Sequence, residues 1–356
     1  MKFKLTILIL LVAALLSCSN SNYTWVKLHG EGLRESQNTT HCLLVINSKV
    51  AFLGGGYTSD ENFKNRTFLT GQEATLYKTK DSGRSWSLKT FGTGSVEEII
   101  QHNNEIFLLV RKFSENSYNN LYSEIYLSKD IGVSWQKILS TSPPDNIESL
   151  ISGKDQIIIA VESFDKEGKK SVYKKSISPY ENWETLGEYT AKYVTSRPIF
   201  SSERVYFIAK QEELISISLA SKKMSSENLP SNFLGQKLAT DDLSNVWIIG
   251  KINQLPIFLK KQDNGDYSEI NFNQAGKSPL ISGVHITNNN IMVIAVTSSS
   301  LLGATHKLFI SSDKGTTWSA EKFPFPLIVK PFCFLGNGEL WAHGGGRLIQ
   351  KRVLRF

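Results

Sequence analysis

The sequence predicts an all-β protein built from repeats of a four-stranded sheet, and three observations predict it. A phrase with the pattern Ser/Thr-x-Asp-x-Gly-x-Ser/Thr-Trp occurs three times, at 79–86, 128–135 and 311–318. The first two copies are 49 residues apart, and the third follows 183 residues later, which is about four more periods of similar length. Short runs rich in Val, Ile, Phe and Tyr alternate with turn residues along the chain. A period of about 46–49 residues is typical of the blades of a β-propeller.

Each copy of the phrase is predicted to form a turn between two strands. The Asp side chain can accept hydrogen bonds from nearby backbone N–H groups, and the Gly two residues later supplies a positive φ. The Trp then begins the next strand as a large apolar anchor. The residues concerned are Asp81, Gly83, Trp86, Asp130, Gly132, Trp135, Asp313, Gly315 and Trp318. A catalytic or metal-binding role is the alternative, but a catalytic carboxylate is needed once rather than once per blade.

The repeated phrase resembles the Asp-box, or bacterial neuraminidase repeat, at nearly every defined position. This resemblance implies an Asp-box β-propeller, a group that includes sialidases, some glycanases, sortilin-type receptors and photosystem II assembly factors. In those proteins the box is structural and lies on the face away from the ligand. The resemblance therefore implies that the three Asp residues hold turns and that binding occurs on the opposite face.

Counting strands between turn signals predicts seven blades. The first six are expected at about 41–91, 96–139, 147–189, 193–229, 237–272 and 280–323. The seventh has only three strands before the chain ends, and the N-terminal segment around Trp25 is predicted to supply its fourth. Six or eight blades remain compatible with the sequence, because the fourth and fifth blades carry degenerate repeats.

The N-terminus reads as an export signal followed by a lipid anchor. Lys2 and Lys4 precede an apolar run that is too short to span a bilayer, and the run ends in Leu-Leu-Ser-Cys18. This ending resembles a bacterial lipobox, which implies a signal peptide over 1–17, a lipidated Cys18 with a tether over 18–23, and one propeller domain over 24–356. An ordinary cleaved signal is the alternative. The predicted location is the bacterial cell envelope, with the outer membrane favoured.

Two further cysteines, Cys42 and Cys333, are expected on the first strands of adjacent blades across the ring closure. Because an exported protein meets an oxidising compartment, a disulfide between them is one interpretation. The other is a pair of small buried apolar side chains.

The predicted binding surface is the face opposite the repeated turns. The four longest insertions, near 57–71, 112–120, 163–170 and 298–306, connect the second and third strands of their blades, and loops on a rigid scaffold commonly carry function. Candidate contact residues there are Tyr57, Phe63, Arg66, Arg111, Phe113, Tyr118 and Phe164. Surface loops without function are the alternative. A protein or glycan partner is expected for a monomeric propeller. The formal net charge of +7 is scattered rather than clustered, so nucleic acid is not expected.

The sequence favours a non-enzymatic binder, such as an assembly factor, a receptor-like binder or an envelope inhibitor or immunity protein. The alternative is an exo-sialidase-like or other glycoside hydrolase, which would need three Arg around a substrate carboxylate and a Tyr activated by a Glu. No Phe/Tyr-Arg-Ile-Pro phrase precedes the first repeat, and neither a metal site nor a cofactor motif can be identified.

Overall fold

The structure is a computed structural model. It describes residues 23–28, 31–33, 38–58, 72–113, 121–143, 145–165, 168–190, 194, 196–241, 243–262, 264–275, 279–286, 291–300, 303–322, 329–334, 339–344 and 348–354.

Nearly all described secondary structure is β-strand. The first fourteen strands are β1 (Tyr23–Leu28), β2 (Asn38–Val45), β3 (Ala51–Thr58), β4 (Gln72–Thr79), β5 (Ser87–Thr93), β6 (Ser95–His102), β7 (Glu105–Phe113), β8 (Leu121–Ser128), β9 (Gln136–Ser140), β10 (Asn146–Ser152), β11 (Ile157–Asp165), β12 (Gly168–Ser176), β13 (Glu184–Thr190) and β14 (Ile199–Ser201). The others are β15 (Arg204–Ala209), β16 (Glu213–Ser218), β17 (Met224–Asn228), β18 (Leu234–Thr240), β19 (Val246–Ile252), β20 (Leu255–Lys261), β21 (Tyr267–Asn271), β22 (Leu280–Ile286), β23 (Met292–Ser300), β24 (Gly303–Ser311), β25 (Ser319–Lys322), β26 (Val329–Phe334), β27 (Leu340–Gly344) and β28 (Leu348–Leu354). One short 3₁₀ helix covers Asn273–Ala275.

These strands form seven four-stranded antiparallel sheets. Six sheets take four consecutive strands each, from β2–β5 through β22–β25, and the last has the order β26-β27-β28-β1. We number the sheets in chain order, so that the last one is sheet seven. The first strand of each sheet contacts the first strand of the next, and β26 contacts β2. The sheets therefore surround a central channel, and the predicted all-β propeller fold is confirmed.

The two ends of the chain meet in sheet seven. Strand β1 pairs with β28 along its whole length, and Trp25 lies opposite Arg352. The prediction that the N-terminal strand supplies the missing outer strand is therefore confirmed. This pairing ties the strand that precedes the first sheet in the sequence to the last sheet, and it gives sheet seven four strands like the others.

The core lies between adjacent sheets, and both faces of each sheet are buried there. In β11, Ile157, Ile159 and Val161 pack towards the second sheet, whereas Ile158 and Ala160 pack towards the fourth. Packing on both sides explains why the second strands are continuous apolar runs instead of alternating ones. Aromatic rings reinforce these contacts, for example Tyr173 stacked on Phe207 with centroids 4.8 Å apart.

The sheet order gives the disc two distinct faces. The connections from third to fourth strand at 80–86, 129–135, 177–183 and 312–318 lie on one side, which we call the box face. The connections from second to third strand, including those that begin after Thr58, Phe113, Asp165 and Ser300, lie on the other side, which we call the loop face. Because successive strands are antiparallel, the connections from one sheet to the next also lie on the loop face.

Within the described part of the chain, no helix has the length and apolar character needed to cross a membrane. The predicted signal peptide and Cys18 lie outside the described residues.

Candidate functional site

The three repeated turns have the same internal hydrogen bonds. In the first, Asp81 Oδ1 accepts from Ser85 N at 2.9 Å, and Asp81 Oδ2 accepts from Ser85 Oγ at 2.6 Å. Thr79 Oγ1 donates to Asp81 at 2.8 Å and accepts from Gly83 N at 2.9 Å. Asp130 and Asp313 make the corresponding bonds in the other two turns. Among the described residues, the hydrogen bonds of these three carboxylates all lie within their own copy of the repeated phrase, as a structural role requires.

The turn hydrogen bonds also set the acidity of the three carboxyls. The Ser85 hydroxyl, and then the Ser85 amide, lower the pKa of Asp81 to about 2. The Thr317 hydroxyl and amide lower the pKa of Asp313 to about 2, and Ser134 lowers the pKa of Asp130 in the same way. A hydrogen bond donated to the charged form stabilises that form.

The glycine of each turn packs closely against the neighbouring sheet that comes one place earlier in the ring. Gly83, Gly132 and Gly315 all have positive φ values, between 72° and 85°. A Cβ at Gly132 would lie 2.6 Å from Phe52 Cε1 in the first sheet, and one at Gly83 would lie 2.9 Å from Leu28 Cδ1 in sheet seven. Lys78 of the first sheet adds a bond from its Nζ to the Ile131 carbonyl of the second turn. The box turns therefore join neighbouring sheets.

A fourth turn has the same spacing without the same residues. The connection 177–183 is as long as the other three and also ends in a Trp, Trp183. Tyr180 occupies the Gly position with a φ of +65° and donates through its hydroxyl to Glu105 at 2.7 Å. Of the repeated phrase, the sequence has Ser176 and Trp183 at this place and lacks the Asp, the Gly and the second Ser or Thr.

The predicted contact residues are only partly placed by the structure. Tyr57, Arg111 and Phe113 are half-buried at the loop-face ends of β3 and β7. Phe164 lies in β11, with its side chain outside the described part. Phe63, Arg66 and Tyr118 lie outside the described residues.

A set of β-bulges surrounds the loop-face end of the channel. In six of the seven sheets, the pairing register between the first and second strands shifts by one residue. The shift occurs towards the N-terminal end of the first strand, which is the end nearer the loop face. The extra residues, which we call the bulge ring, are His41, Glu97, Glu148, Gln236, Ser282 and Pro331. A bulge redirects side chains and often lies next to a functional site.

Sequence reasoning missed this ring, although a signal was present. Val96-Glu-Glu-Ile99, Ile147-Glu-Ser-Leu150 and Ile281-Ser-Gly-Val284 place two polar or small residues where strict alternation allows one. The fourth sheet is irregular at the same level, since Ser196 Oγ accepts from Ile208 N at 2.8 Å just before Arg197.

Charged side chains meet at the bulge ring. Arg111 Nη2 lies 3.4 Å from Glu148, and its Nη1 lies 3.9 Å from Glu97. Arg197 lies 3.3 Å from Glu98, which also accepts from Leu150 N at 2.8 Å. The Glu98 side chain is 17% exposed, and its burial raises the pKa of its carboxyl although Arg197 opposes the shift.

The charges are divided between two sides of the channel. Glu97, Glu98 and Glu148 come from the second and third sheets, whereas Arg197 and Lys237 come from the fourth and fifth. Lys237 Nζ donates to the Ser282 carbonyl at 3.2 Å. Its burial, followed by the nearby charge of Arg197, lowers the pKa of Lys237.

Three adjoining cavities lead from this basic side outward across the loop face. The innermost, of about 400 Å³, is lined by Arg197, Gln236 and Lys237 among others. It shares Gln236 with a cavity of about 190 Å³, which shares Lys251 and Gln254 with an outer one of about 830 Å³. We call this row the radial groove, and its apolar lining includes Leu229, Phe233, Pro256, Pro279, Leu280 and Ile281. Such a shape suits an extended chain better than a compact small molecule.

The disulfide considered between Cys42 and Cys333 is not formed, because Cys42 is a free buried thiol. Its Sγ lies 3.9 Å from the Val96 carbonyl, and it packs with apolar residues of the first and second sheets. Cys333 belongs to β26 in sheet seven, on the other side of the first sheet. Burial raises the pKa of the Cys42 thiol, so Cys42 fits the apolar interpretation.

The described residues do not bring together the arrangement expected for a sialidase. Of the four arginines with described side chains, Arg111 and Arg197 reach the channel, and each pairs with glutamate. Tyr126 with Glu124, Tyr180 with Glu105 and Tyr267 with Glu227 form Tyr–Glu hydrogen bonds, but among the described residues none of these pairs involves Arg111 or Arg197. Within the described part, no group of three or more His, Cys, Asp and Glu could hold a metal ion.

Comparisons with solved structures agree with the propeller fold. The chain is similar to "YCF48 bound to D1 peptide", with a TM-score of 0.65 and 14% identity over 94% of this chain and 96% of that one. It is also similar to YCF48 from Cyanidioschyzon merolae, with a TM-score of 0.62 and 13% identity over 92% and 98% of the two chains. A streptogramin B lyase gives a TM-score of 0.58 at 12% identity, over 93% and 98%. No protein-family model and no curated protein matches this chain. At these identities the likeness shows the fold alone.

Proposed function

We propose that this chain is a lipid-anchored, non-enzymatic propeller of the bacterial cell envelope that binds an extended segment of a partner protein. The observation that carries the proposal is the radial groove, which runs over the loop face into the charged bulge ring. The anchor and the envelope location rest on the Leu-Leu-Ser-Cys18 ending.

The groove has the mixed character of a peptide-binding surface. Its outer part combines the apolar side chains of Leu229 and Leu280 with the amides of Asn253 and Gln254. Protein interfaces typically surround a buried apolar centre with polar groups. The structure of YCF48 bound to a D1 peptide adds a precedent for peptide binding on this fold.

The proposal covers the three kinds of binder that the sequence favours, namely an assembly factor, a receptor-like binder and an envelope inhibitor or immunity protein. Within the described part of the chain, no observation favours the glycoside hydrolase alternative, because the arginines at the channel are paired with glutamates.

The proposal is tested by capture of the partner from the cell's own membranes after mild crosslinking. Leu280→Arg places a charge in the groove, where Leu280 is 54% exposed. Val133→Arg is the matched control on the box face, where Val133 is 72% exposed. We expect capture to fall at least about tenfold for Leu280→Arg and to stay unchanged for Val133→Arg. Equal capture by both variants would contradict the proposal.

The lipid anchor is tested separately by metabolic labelling with a radioactive or clickable fatty acid. We expect label in the wild-type protein and its loss in Cys18→Ala. Label that survives Cys18→Ala would refute the anchor at this residue.

A further inference from the structure

The inner end of the radial groove contains an uncompensated positive charge. Among the described residues, Lys237 Nζ donates its hydrogen bond to the Ser282 carbonyl, and no acidic group contributes to the pKa shift of Lys237. The charge that acts on the pKa of Lys237 is that of Arg197, a second cation. A half-buried ammonium group without a counter-ion is costly, and an anion placed beside it recovers that cost.

Arg197, at the same end of the groove, has N–H donors that do not contact Glu98. Its Nη1 binds Glu98, and its side chain is 62% exposed. A guanidinium group carries five N–H donors, so the remaining ones are able to serve a ligand. Arg197, Lys237 and the Glu98 that pairs with Arg197 together carry one net positive charge, because two cations accompany one carboxylate.

The space beside these cations accommodates a small group. The cavity of about 400 Å³ is lined by Lys237, Arg197 and Gln236 and by two serines, Ser196 and Ser282. It lies where the groove opens into the channel, so a side chain or chain end of a bound segment reaches it.

We propose that Lys237 and Arg197 form a carboxylate-binding site that receives an acidic side chain or the C-terminal carboxylate of the bound segment. The inference rests on the proposed function, since it names the group that the groove's ligand places in the channel. The planar guanidinium and the compact ammonium provide one bidentate and one point-charge contact to a carboxylate.

The site can be tested directly with small anions and without the partner. In protein labelled with ¹³C at lysine Cε, the Lys237 signal is identified by its loss in Lys237→Met, and Lys129 serves as the control signal. Lys129 is on the box face with a side chain 60% exposed. The probes are N-acetyl-glutamate α-amide for a side-chain carboxylate, N-acetyl-glycine for a terminal one, inorganic phosphate, and N-acetyl-lysine amide as a cation.

We expect at least one of the two carboxylate probes to shift the Lys237 signal in a saturable manner. The probe that binds more tightly shows whether the site receives a side-chain carboxylate or a C-terminal one. The Lys129 signal should show no saturable shift with any probe, and N-acetyl-lysine amide should not shift the Lys237 signal. The inference is overturned if neither carboxylate saturates the Lys237 signal, or if phosphate binds more tightly than both.

Capture of the partner by Lys237→Met completes the test, with Lys129→Met as the matched control. We expect about a tenfold loss for Lys237→Met only, the change that one charge-assisted hydrogen bond supports. If Leu280→Arg abolishes capture while Lys237→Met does not, the carboxylate site is wrong and the groove remains. If a carboxylate probe binds Lys237 but no partner depends on Leu280, the proposed function is wrong and the anion site remains.

Discussion

The Arg197 guanidinium lies 3.3 Å from the Glu98 carboxylate, although Glu98 belongs to the second sheet and Arg197 to the fourth. The third sheet lies between these two sheets in the ring. The contact crosses one side of the channel at the level of the bulge ring. It connects the basic end of the radial groove to the acidic side of the channel, so the two charges define the candidate site together.

The Glu98–Arg197 pair predicts a pH dependence of stability. Burial raises the pKa of Glu98 above its ordinary value of 4.5, so the folded protein keeps this proton to higher pH than the unfolded chain. The free energy of unfolding therefore loses a contribution as pH rises above about 4.5 through the folded pKa. Arg197→Met removes the cation that opposes the shift, and it should destabilise more at pH 8 than at pH 5, by about 1 kcal/mol.

Urea unfolding at both pH values measures this effect. The matched control is Arg197→Met in a Glu98→Gln background, in which the extra loss at pH 8 should disappear. A loss of the same size at pH 8 with and without Glu98 would show that the pair is not responsible.

The carboxyls of Asp81, Asp130 and Asp313 predict the opposite pH dependence, in which the free energy of unfolding falls as the pH falls. Because the folded pKa of Asp81 is about 2 against an ordinary 3.8, ionised Asp81 stabilises the fold above pH 3.8, and this contribution disappears as pH falls towards 2. Asp81→Asn should therefore flatten the fall in stability between pH 4 and pH 2. Thermal unfolding across this range measures it, and an unchanged slope in the variant would contradict the assignment.

The packing of Gly132, the glycine of the second repeated turn, predicts that one added methyl group lowers the stability of the fold strongly. Gly132→Ala adds a Cβ at a φ of +72°, 2.6 Å from Phe52, whereas Gly265→Ala adds one at +91° with nothing within 4 Å. Both variants carry backbone strain, but only the first forces the first and second sheets apart. We expect a loss of about 2–4 kcal/mol for Gly132→Ala and about 1 kcal/mol for Gly265→Ala by chemical denaturation. Equal losses would mean that the contact with Phe52 has no cost.

The Cys42 thiol is predicted to be unreactive in the folded protein. It is buried with a raised pKa, so the reactive thiolate is scarce. Alkylation of the native, unreduced protein should leave Cys42 unmodified, and alkylation after unfolding without a reductant should modify it fully. A Cys42–Cys333 crosslinked peptide in a non-reducing digest would contradict the free thiol.

Much of the fold could be predicted because its signals are local. A turn that combines Asp81, Gly83 and Trp86 in one phrase fixes a strand pair, and its recurrence fixes the repeat. The pairing of the Trp25 strand with the C-terminal sheet followed from the missing fourth strand there. The turn at Tyr180 could not be predicted in detail, because the backbone geometry is held by residues that lack the phrase.

The site was harder to predict, because it depends on the bulges. The extra residue His41 changes which side of the sheet the following side chains face, and Cys42 accordingly packs towards the second sheet. The meeting of Glu98 with Arg197, 99 positions later, depends on how the ring closes in three dimensions. Of the residues proposed from the loops, Arg111 is the one that the described structure brings into ion pairs at the bulge ring.

We propose that the loop face, and not the box face, receives the partner. Site-specific photocrosslinking in living cells tests it most directly, with the photoreactive residue at Asn253 in the radial groove or at Val133 on the box face. Both positions are exposed. We predict a discrete crosslinked species from Asn253 that Leu280→Arg abolishes, and none from Val133. The same species from Val133, or one from Asn253 that persists in Leu280→Arg, would contradict partner binding in the radial groove.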